Sequence, residues 1–153
     1  MFYLVRHAKA GSRANWEGDD RDRPLSAAGL RQAAALAARL APLTHGALVS
    51  SPSLRCVQTI EPLAASLGTT VLSDERLAEG AGFVGALALL SELPDGSVLC
   101  SHGDVIPDTI GALQRRGCAF AGTPDWRKAS VWVLGRDADG AITRAACWPP
   151  PEV

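Results

Sequence analysis

Two histidines and two arginines stand in this chain where apolar runs stop. Leu4-Val5 gives way to Arg6-His7-Ala8-Lys9, and Ser97-Val98-Leu99-Cys100-Ser101 stops at His102-Gly103. A third run, Gly46 to Ser50, leads into Ser51-Pro52-Ser53-Leu54-Arg55. Taken alone, Arg6-His7 reads as a capping charge and a surface histidine after an N-terminal strand. The recurrence of polar groups at two further strand ends points to chemistry instead. In open α/β sheets ligands bind outside the carboxyl ends of the strands, and parallel strands carry those ends on one side. Groups distant in sequence then converge. Guanidinium forks match phosphate oxygens bidentately, and the start of a helix after Ser51 adds backbone N–H donors. Two arginines and two histidines brought together in this way make a phosphate pocket.

The elements that must position these groups follow from periodicity. Phe2 to Val5 reads as the first strand, followed by a polar loop from Ala10 to Pro24 that is longer than an ordinary βα connection. Ser26 is the expected N-cap of a first helix, whose apolar positions are Leu30, Ala33, Ala34, Ala37 and Leu40 and which Pro42 ends. Gly46–Ser50 is a short strand. Ser51-Pro52-Ser53 opens a second helix, with Pro52 in its first turn, running to about Leu67 before Gly68. Thr69–Leu72 reads as a third strand and Asp74–Gly80 as loop. Val84, Leu87, Ala88 and Leu90 or Ser91 trace a third helix, ended by Pro94-Asp95-Gly96. Ser97–Ser101 is the clearest buried strand, and Asp104 to about Arg115 a fourth helix. Ser130–Leu134 and Ala141–Ala146 flank Asp139-Gly140 and form a hairpin. Alternating strands and helices followed by a hairpin predict an α/β fold: three αβα layers, a mostly parallel sheet and an antiparallel edge hairpin.

Composition bounds the partners. A chain of 153 residues, 47% hydrophobic, fits a single domain over 1–153, with a short proline-rich tail from about 148. Net charge is −1, so no global basic field is expected to hold nucleic acid or an anionic membrane. The start, Met1 to Arg6, has no basic n-region and only a short apolar stretch, which predicts neither a signal peptide nor a membrane span, and a cytoplasmic location. Cys56, Cys100, Cys118 and Cys147 lack CxxC spacing and are expected as buried free thiols.

Four motifs carry a resemblance to a known family. Leu4-Val5-Arg6-His7-Ala8 is similar to the Arg-His-Gly signature of the histidine phosphatase superfamily (phosphoglycerate mutase-like), with alanine for glycine. Ser51 to Thr59 resembles its S-x-x-x-R-x-x-Q-T helix start, Ser101-His102-Gly103 its second histidine, and Arg23-Pro24-Leu25-Ser26 with Gly29 the segment opening its first helix. The resemblance implies a phosphatase that works through a phosphohistidine on His7. Arg6, Arg55 and His102 would hold the phosphoryl oxygens, with no metal and no cofactor required. An acid between the third strand and the next helix would protonate an alkoxide leaving group. Glu79 is the candidate, Glu75 and Asp104 the rivals.

Among the remaining polar residues, Arg23, Lys9 and Ser12 are candidates for substrate binding. Arg13 and Arg21, with acidic neighbours, read as a solvated face. Trp16 pins the loop or touches a ligand. His45 reads as structural, and Trp126-Arg127-Lys128 as a candidate for the pocket mouth. Between Glu79 and Ser97 there is no room for a helical lid, so the pocket is expected to be open. Short length, Arg-His-Ala and Arg-Pro-Leu resemble SixA-like phosphohistidine phosphatases. The run from Arg6 to Leu25 and Val105-Ile106-Pro107 are similar to the phosphatase domain fused to some Nudix hydrolases. The implied substrate is a phosphohistidine protein or an accessible phosphomonoester, such as a nucleotide. The alternative is a catalytically weak phosphate-binding or regulatory module of the same fold.

Overall fold

Phe2, Tyr3, Leu4 and Val5 are all buried, which a strand achieves only with both sheet faces covered. The computed structural model describes residues 1–153. Strand β1 (Phe2–Arg6) lies mid-sheet among β2 (Leu48–Ser50), β3 (Leu72–Ser73), β4 (Val98–Ser101), β5 (Ala119–Ala121), β6 (Val131–Arg136) and β7 (Ile142–Trp148). The spatial order is β3-β2-β4-β1-β6-β7-β5. Strands β1, β2, β3 and β4 pair in parallel, and β6 runs antiparallel to both β1 and β7. The hairpin lies toward one edge, as its Asp-Gly turn predicts. Strand β5, which periodicity did not reveal, extends the sheet one strand further by pairing in parallel with β7. A three-residue strand is too short to show an alternation.

Alternate residues of β1 feed two cores. Tyr3 and Val5 pack with Leu36 and Leu40 of α1 (Ala27–Leu40) and Ile60 and Leu63 of α2 (Leu54–Leu67). Phe2 and Leu4 pack with Leu89 and Leu90 of α3 (Val84–Glu92) and Ile110 and Leu113 of α4 (Val105–Arg115). Helices on both faces give the three layers.

Local expectations need correction at three helices and at the third strand, which is Leu72–Ser73 and not Thr69–Leu72. The buried stripe of α1 is Gly29, Gln32, Ala33, Leu36, Ala37 and Leu40, whereas Leu30 and Ala34 face solvent. In an alanine-rich helix the apolar pattern fixes the face only to within one residue. Helix α3 buries Ala86, Leu89 and Leu90 and leaves Val84 exposed, because a segment apolar all round carries no directional signal. Pro52 precedes the N-cap Ser53 and is not in the first turn of α2. Ser26 caps α1 through its hydroxyl to Gly29 N–H at 3.1 Å, and Gly68 ends α2 at φ 66°.

Gly29 sets how closely α1 approaches the residues after β1. A Cβ there would fall inside the van der Waals envelope of the Lys9 carbonyl oxygen. The same carbonyl accepts from Ser26 N–H at 2.9 Å and the Ser26 hydroxyl at 3.1 Å, while Gln32 Oε1 accepts from Lys9 N–H at 3.0 Å. Gly29→Ala forces backbone from backbone, so we expect a loss of roughly 2–4 kcal/mol by urea denaturation. An unchanged midpoint would show that α1 shifts freely.

Candidate active site

The ends of β1, β4 and β2 are neighbours in register. Arg6 lies opposite Ser101 and Ser50 opposite Cys100, so the residues one step beyond, His7, His102 and Ser51, emerge side by side. His7 N–H donates to the Ser101 carbonyl and Ser51 N–H to the Cys100 carbonyl. The imidazoles of His7 and His102 face each other edge-on, centroids 5.5 Å apart at an interplanar angle of 68°. They border a cavity of about 460 Å³ whose wall also includes Arg6, Ser12, Arg13, Arg23, Glu79, Asp104 and Lys128.

The tautomer of His7 is fixed by its own chain. Nδ1 lies 2.8 Å from the Ala8 carbonyl oxygen. A carbonyl only accepts, so Nδ1 carries the proton and Nε2 the lone pair. Burial, together with the positive field of His102, Arg55 and Arg6, pushes the His7 pKa down to about 3 against the opposing pull of the Ala8 bond. The ring is therefore uncharged over the whole physiological range.

Arg6 donates to the Trp126 carbonyl at 2.5 Å, and its Nε is buried without a protein partner. Gly103 lets the Arg6 guanidinium lie flat against the backbone, since a Cβ at Gly103 would sit 2.7 Å from Cζ. His102 Nε2 is 2.8 Å from Ser51 Oγ, and Nδ1 is buried and unpartnered. Ser51 Oγ already accepts from Ser53 N–H at 3.3 Å. Its hydroxyl proton best goes to Nε2, leaving His102 Nδ1–H as a free donor.

Arg55 departs from the simple expectation. It is 1% exposed and stands behind the cavity wall, with Nη1 donating to the Asp20 carbonyl at 2.9 Å. Nη2 is 3.1 Å from Asp20 Oδ2 and 3.2 Å from Glu79 Oε2. Asp20 also pairs with Arg23 at 3.0 Å and Arg13 at 3.4 Å. Burial works against its charge, but the Arg23 hydrogen bond and the fields of Arg55, Arg13 and Arg23 hold its carboxyl below the ordinary range. Sequence reading missed Asp20, because a carboxylate inside a run of alternating charge looks like any solvated loop residue.

The three candidate acids separate. Glu75 pairs with Arg21 at 2.8 Å outside the cavity. Asp104 faces the cavity, but its oxygens accept from Gly80 N–H at 2.7 Å and Val105 N–H at 2.8 Å, capping α4. Glu79 faces the cavity with oxygens that touch only side chains, Arg13 at 3.1 Å and Arg55 at 3.2 Å. Arg13, read as a solvated face, thus reaches the site, whereas Arg21 stays on the surface. Arg23, a substrate-binding candidate, is 5% exposed and holds the loop neck, with Nη1 on the Gly11 carbonyl at 2.6 Å. Ser12 lines the cavity as expected. Lys9 lines an adjacent groove instead.

The N-terminus of α2 is not on the cavity wall, so its N–H groups are not the anion donors expected of them. The α2 sequence acts through side chains. Thr59 Oγ1 accepts from Ala8 N–H at 2.9 Å and Gln58 Oε1 from Leu25 N–H at 2.8 Å, fastening the segment after His7 and the end of the loop to one helix. Cys56 lies 3.6 Å from His102 Nε2. Its thiol is buried, as are those of Cys100 and Cys118, while Cys147 is half-buried, and all four are free. Ala8 has an ordinary negative φ and a buried methyl in the α1–α2 core, so alanine replaces glycine without backbone strain. Trp16 is exposed and donates to the Asp19 carbonyl at 2.8 Å, a bond within its own loop that does not fasten the loop to the body of the protein. His45 packs on Gly96 as a structural group.

Residues 2–85 match the family model of the histidine phosphatase superfamily (branch 1). An 8-oxo-(d)GTP phosphatase from Mycolicibacterium smegmatis (strain ATCC 700084 / mc(2)155) is 37% identical over 155 residues, covering 97% of this chain and 48% of that protein. The chain thus spans about half the length of the curated relative it matches. Among solved structures, SixA from Agrobacterium tumefaciens superposes with a TM-score of 0.69 at 26% identity, covering 89% of this chain and 90% of that one. SixA from Nakamurella multipartitia superposes with a TM-score of 0.66 at 29% identity, covering 96% and 92%. No helix is long and apolar enough to cross a membrane. With its histidines at adjacent strand ends and the signature motifs on the elements that carry them, the chain belongs to the histidine phosphatase superfamily, branch 1.

Proposed function

We propose that the chain hydrolyses a phosphohistidine protein or an accessible phosphomonoester, such as a nucleotide, through a phosphohistidine on His7. The observation that carries this reading is the His7 ring itself: proton held on Nδ1 by the Ala8 carbonyl, lone pair on Nε2, and no charge near neutrality. Nε2 attacks phosphorus and the bond to the leaving group breaks. The ring then carries a positive charge with Nδ1–H still on Ala8, an acceptor that stabilises it. Arg6 Nε and His102 Nδ1, both buried and unpartnered, donate to the equatorial oxygens, where such donors lower the barrier most. A phosphoryl oxygen takes over the Arg55 Nη2 position that Asp20 and Glu79 share. Water then attacks the phosphohistidine, the P–N bond breaks, and the lone pair returns to Nε2.

Glu79 is the proposed proton donor to an alkoxide, because it faces the cavity and its present partners are side chains, not the backbone groups that hold Asp104. It then takes a proton from the attacking water. A departing imidazole needs less help. Glu79→Gln is expected to lower kcat/KM, which reports transfer to His7 and not the shared hydrolysis of the phosphohistidine, by about 100-fold for an alkyl phosphate and by less than about fivefold for a phosphoramidate. Equal slowing of both assigns Glu79 to binding or folding. The relative named as an 8-oxo-(d)GTP phosphatase supports a nucleotide, and the likeness to SixA supports a phosphoprotein. Turnover of p-nitrophenyl phosphate in EDTA tests the reading as a whole. No turnover there would leave the phosphate-binding module.

A further inference from the structure

We infer that Lys9 and Lys128 form a second anion subsite beside the phosphoryl cavity, suited to a substrate whose scissile phosphoryl is attached to another phosphate. This deepens the phosphatase reading and rests on it. A groove of about 520 Å³ adjoins the cavity, and Arg6 and Lys128 line both, so they form the wall between. Lys9 and Arg127 line the far side of that wall.

The charge pattern distinguishes these cations from the others. Arg13, Arg23 and Arg55 are paired with Asp20 and Glu79, and Arg127 with Asp125 at 2.6 Å. No carboxylate lies within 4.0 Å of Arg6, Lys9 or Lys128, and Glu152, which borders the groove, pairs with neither lysine. Arg6, Lys9 and Lys128 thus border one groove, none of them held in a salt bridge. Burial and the nearby Arg6, Arg23, Arg13 and Arg55 lower the Lys128 pKa, as expected of an ammonium in an uncompensated field.

The position of Lys128 is built into the backbone. The next residue, Ala129, is fully buried at φ 69°, a conformation that costs a non-glycine residue energy, and its N–H donates to the carbonyls of Arg6 at 3.1 Å and His7 at 3.2 Å. Lys128 is therefore strapped to the segment that carries the nucleophile. Lys9 follows His7 by two residues, held at its own backbone by Ser26 and Gln32. An anion at this wall lies next to one held by Arg6, as the second phosphate of a diphosphate would.

Titration calorimetry in EDTA with methylphosphonate and the non-hydrolysable methylenediphosphonate tests the subsite. The natural protein is expected to bind the diphosphonate about tenfold tighter. Lys128→Gln and Lys9→Gln should each reduce that preference to below about threefold, Lys9→Gln while leaving methylphosphonate within about twofold, and Lys128→Arg should retain it. Equal weakening of both ligands, or no preference in the natural protein, overturns the subsite. Turnover of p-nitrophenyl phosphate by the same preparations keeps the two ideas apart: its absence counts against the phosphatase, and the calorimetric preference alone decides the subsite.

Discussion

His7→Ala is expected to abolish turnover, lowering kcat by about 10⁴-fold or more, because the proposed route has no second nucleophile. Thermal unfolding and phosphate binding by the same variant separate lost chemistry from lost fold. Residual turnover within tenfold of the natural protein would remove His7 as the nucleophile. The depressed pKa adds a pH signature. With a value of about 3, His7 keeps its lone pair far into acid, so any acid limb of kcat/KM near pH 6.5 belongs to the substrate or another group. For stability the sign is also fixed. Between pH 6.5 and about 3 the unfolded chain takes up a proton that buried His7 refuses, so native stability falls as pH drops through that window and is complete above it. His7→Ala should flatten this slope when urea midpoints at pH 7 and pH 4.5 are compared.

Arg55→Ala is expected to lower kcat by roughly 10²- to 10⁴-fold, through loss of a charge-assisted donor that strengthens as charge spreads over the phosphoryl oxygens. It also leaves Asp20 and Glu79 without the guanidinium between them. Both keep access to water, at 37% and 44% side-chain exposure, so the stability cost should be about 1–3 kcal/mol, below that of a fully buried pair. Arg55→Lys distinguishes the roles: it keeps the charge and loses the fork. Activity recovered with lysine would make Arg55 a source of field alone, whereas continued loss supports a bidentate contact. A near-normal rate for Arg55→Ala would remove Arg55 from the site.

The clearest sequence signals were those with one physical cause. Ser26 and Gly68 bounded helices through a hydroxyl cap and a left-handed backbone, and both are local. The buried runs at β1 and β4 were visible because a strand covered on both faces needs apolar residues at every position. Where several registers satisfy the same composition, as on alanine-rich α1 and leucine-rich α3, the sequence left the face undecided by a residue. Strand β5 was invisible because three residues form a strand only when β7 offers an edge.

The site divides in the same way. From residue types and motif order the sequence by itself determined the two imidazoles and the Arg6 guanidinium at strand ends, since strand ends carry their polar groups whatever the rest of the chain does. Only the tertiary structure decided which carboxylates face the cavity, that Asp20 and Glu79 share Arg55, that Gln58 and Thr59 fasten the loop and Ala8, and that Lys9 and Lys128 line one groove. Those relations depend on distances between segments dozens of residues apart. Such distances are set by how the helices pack on the sheet, and no local pattern records them.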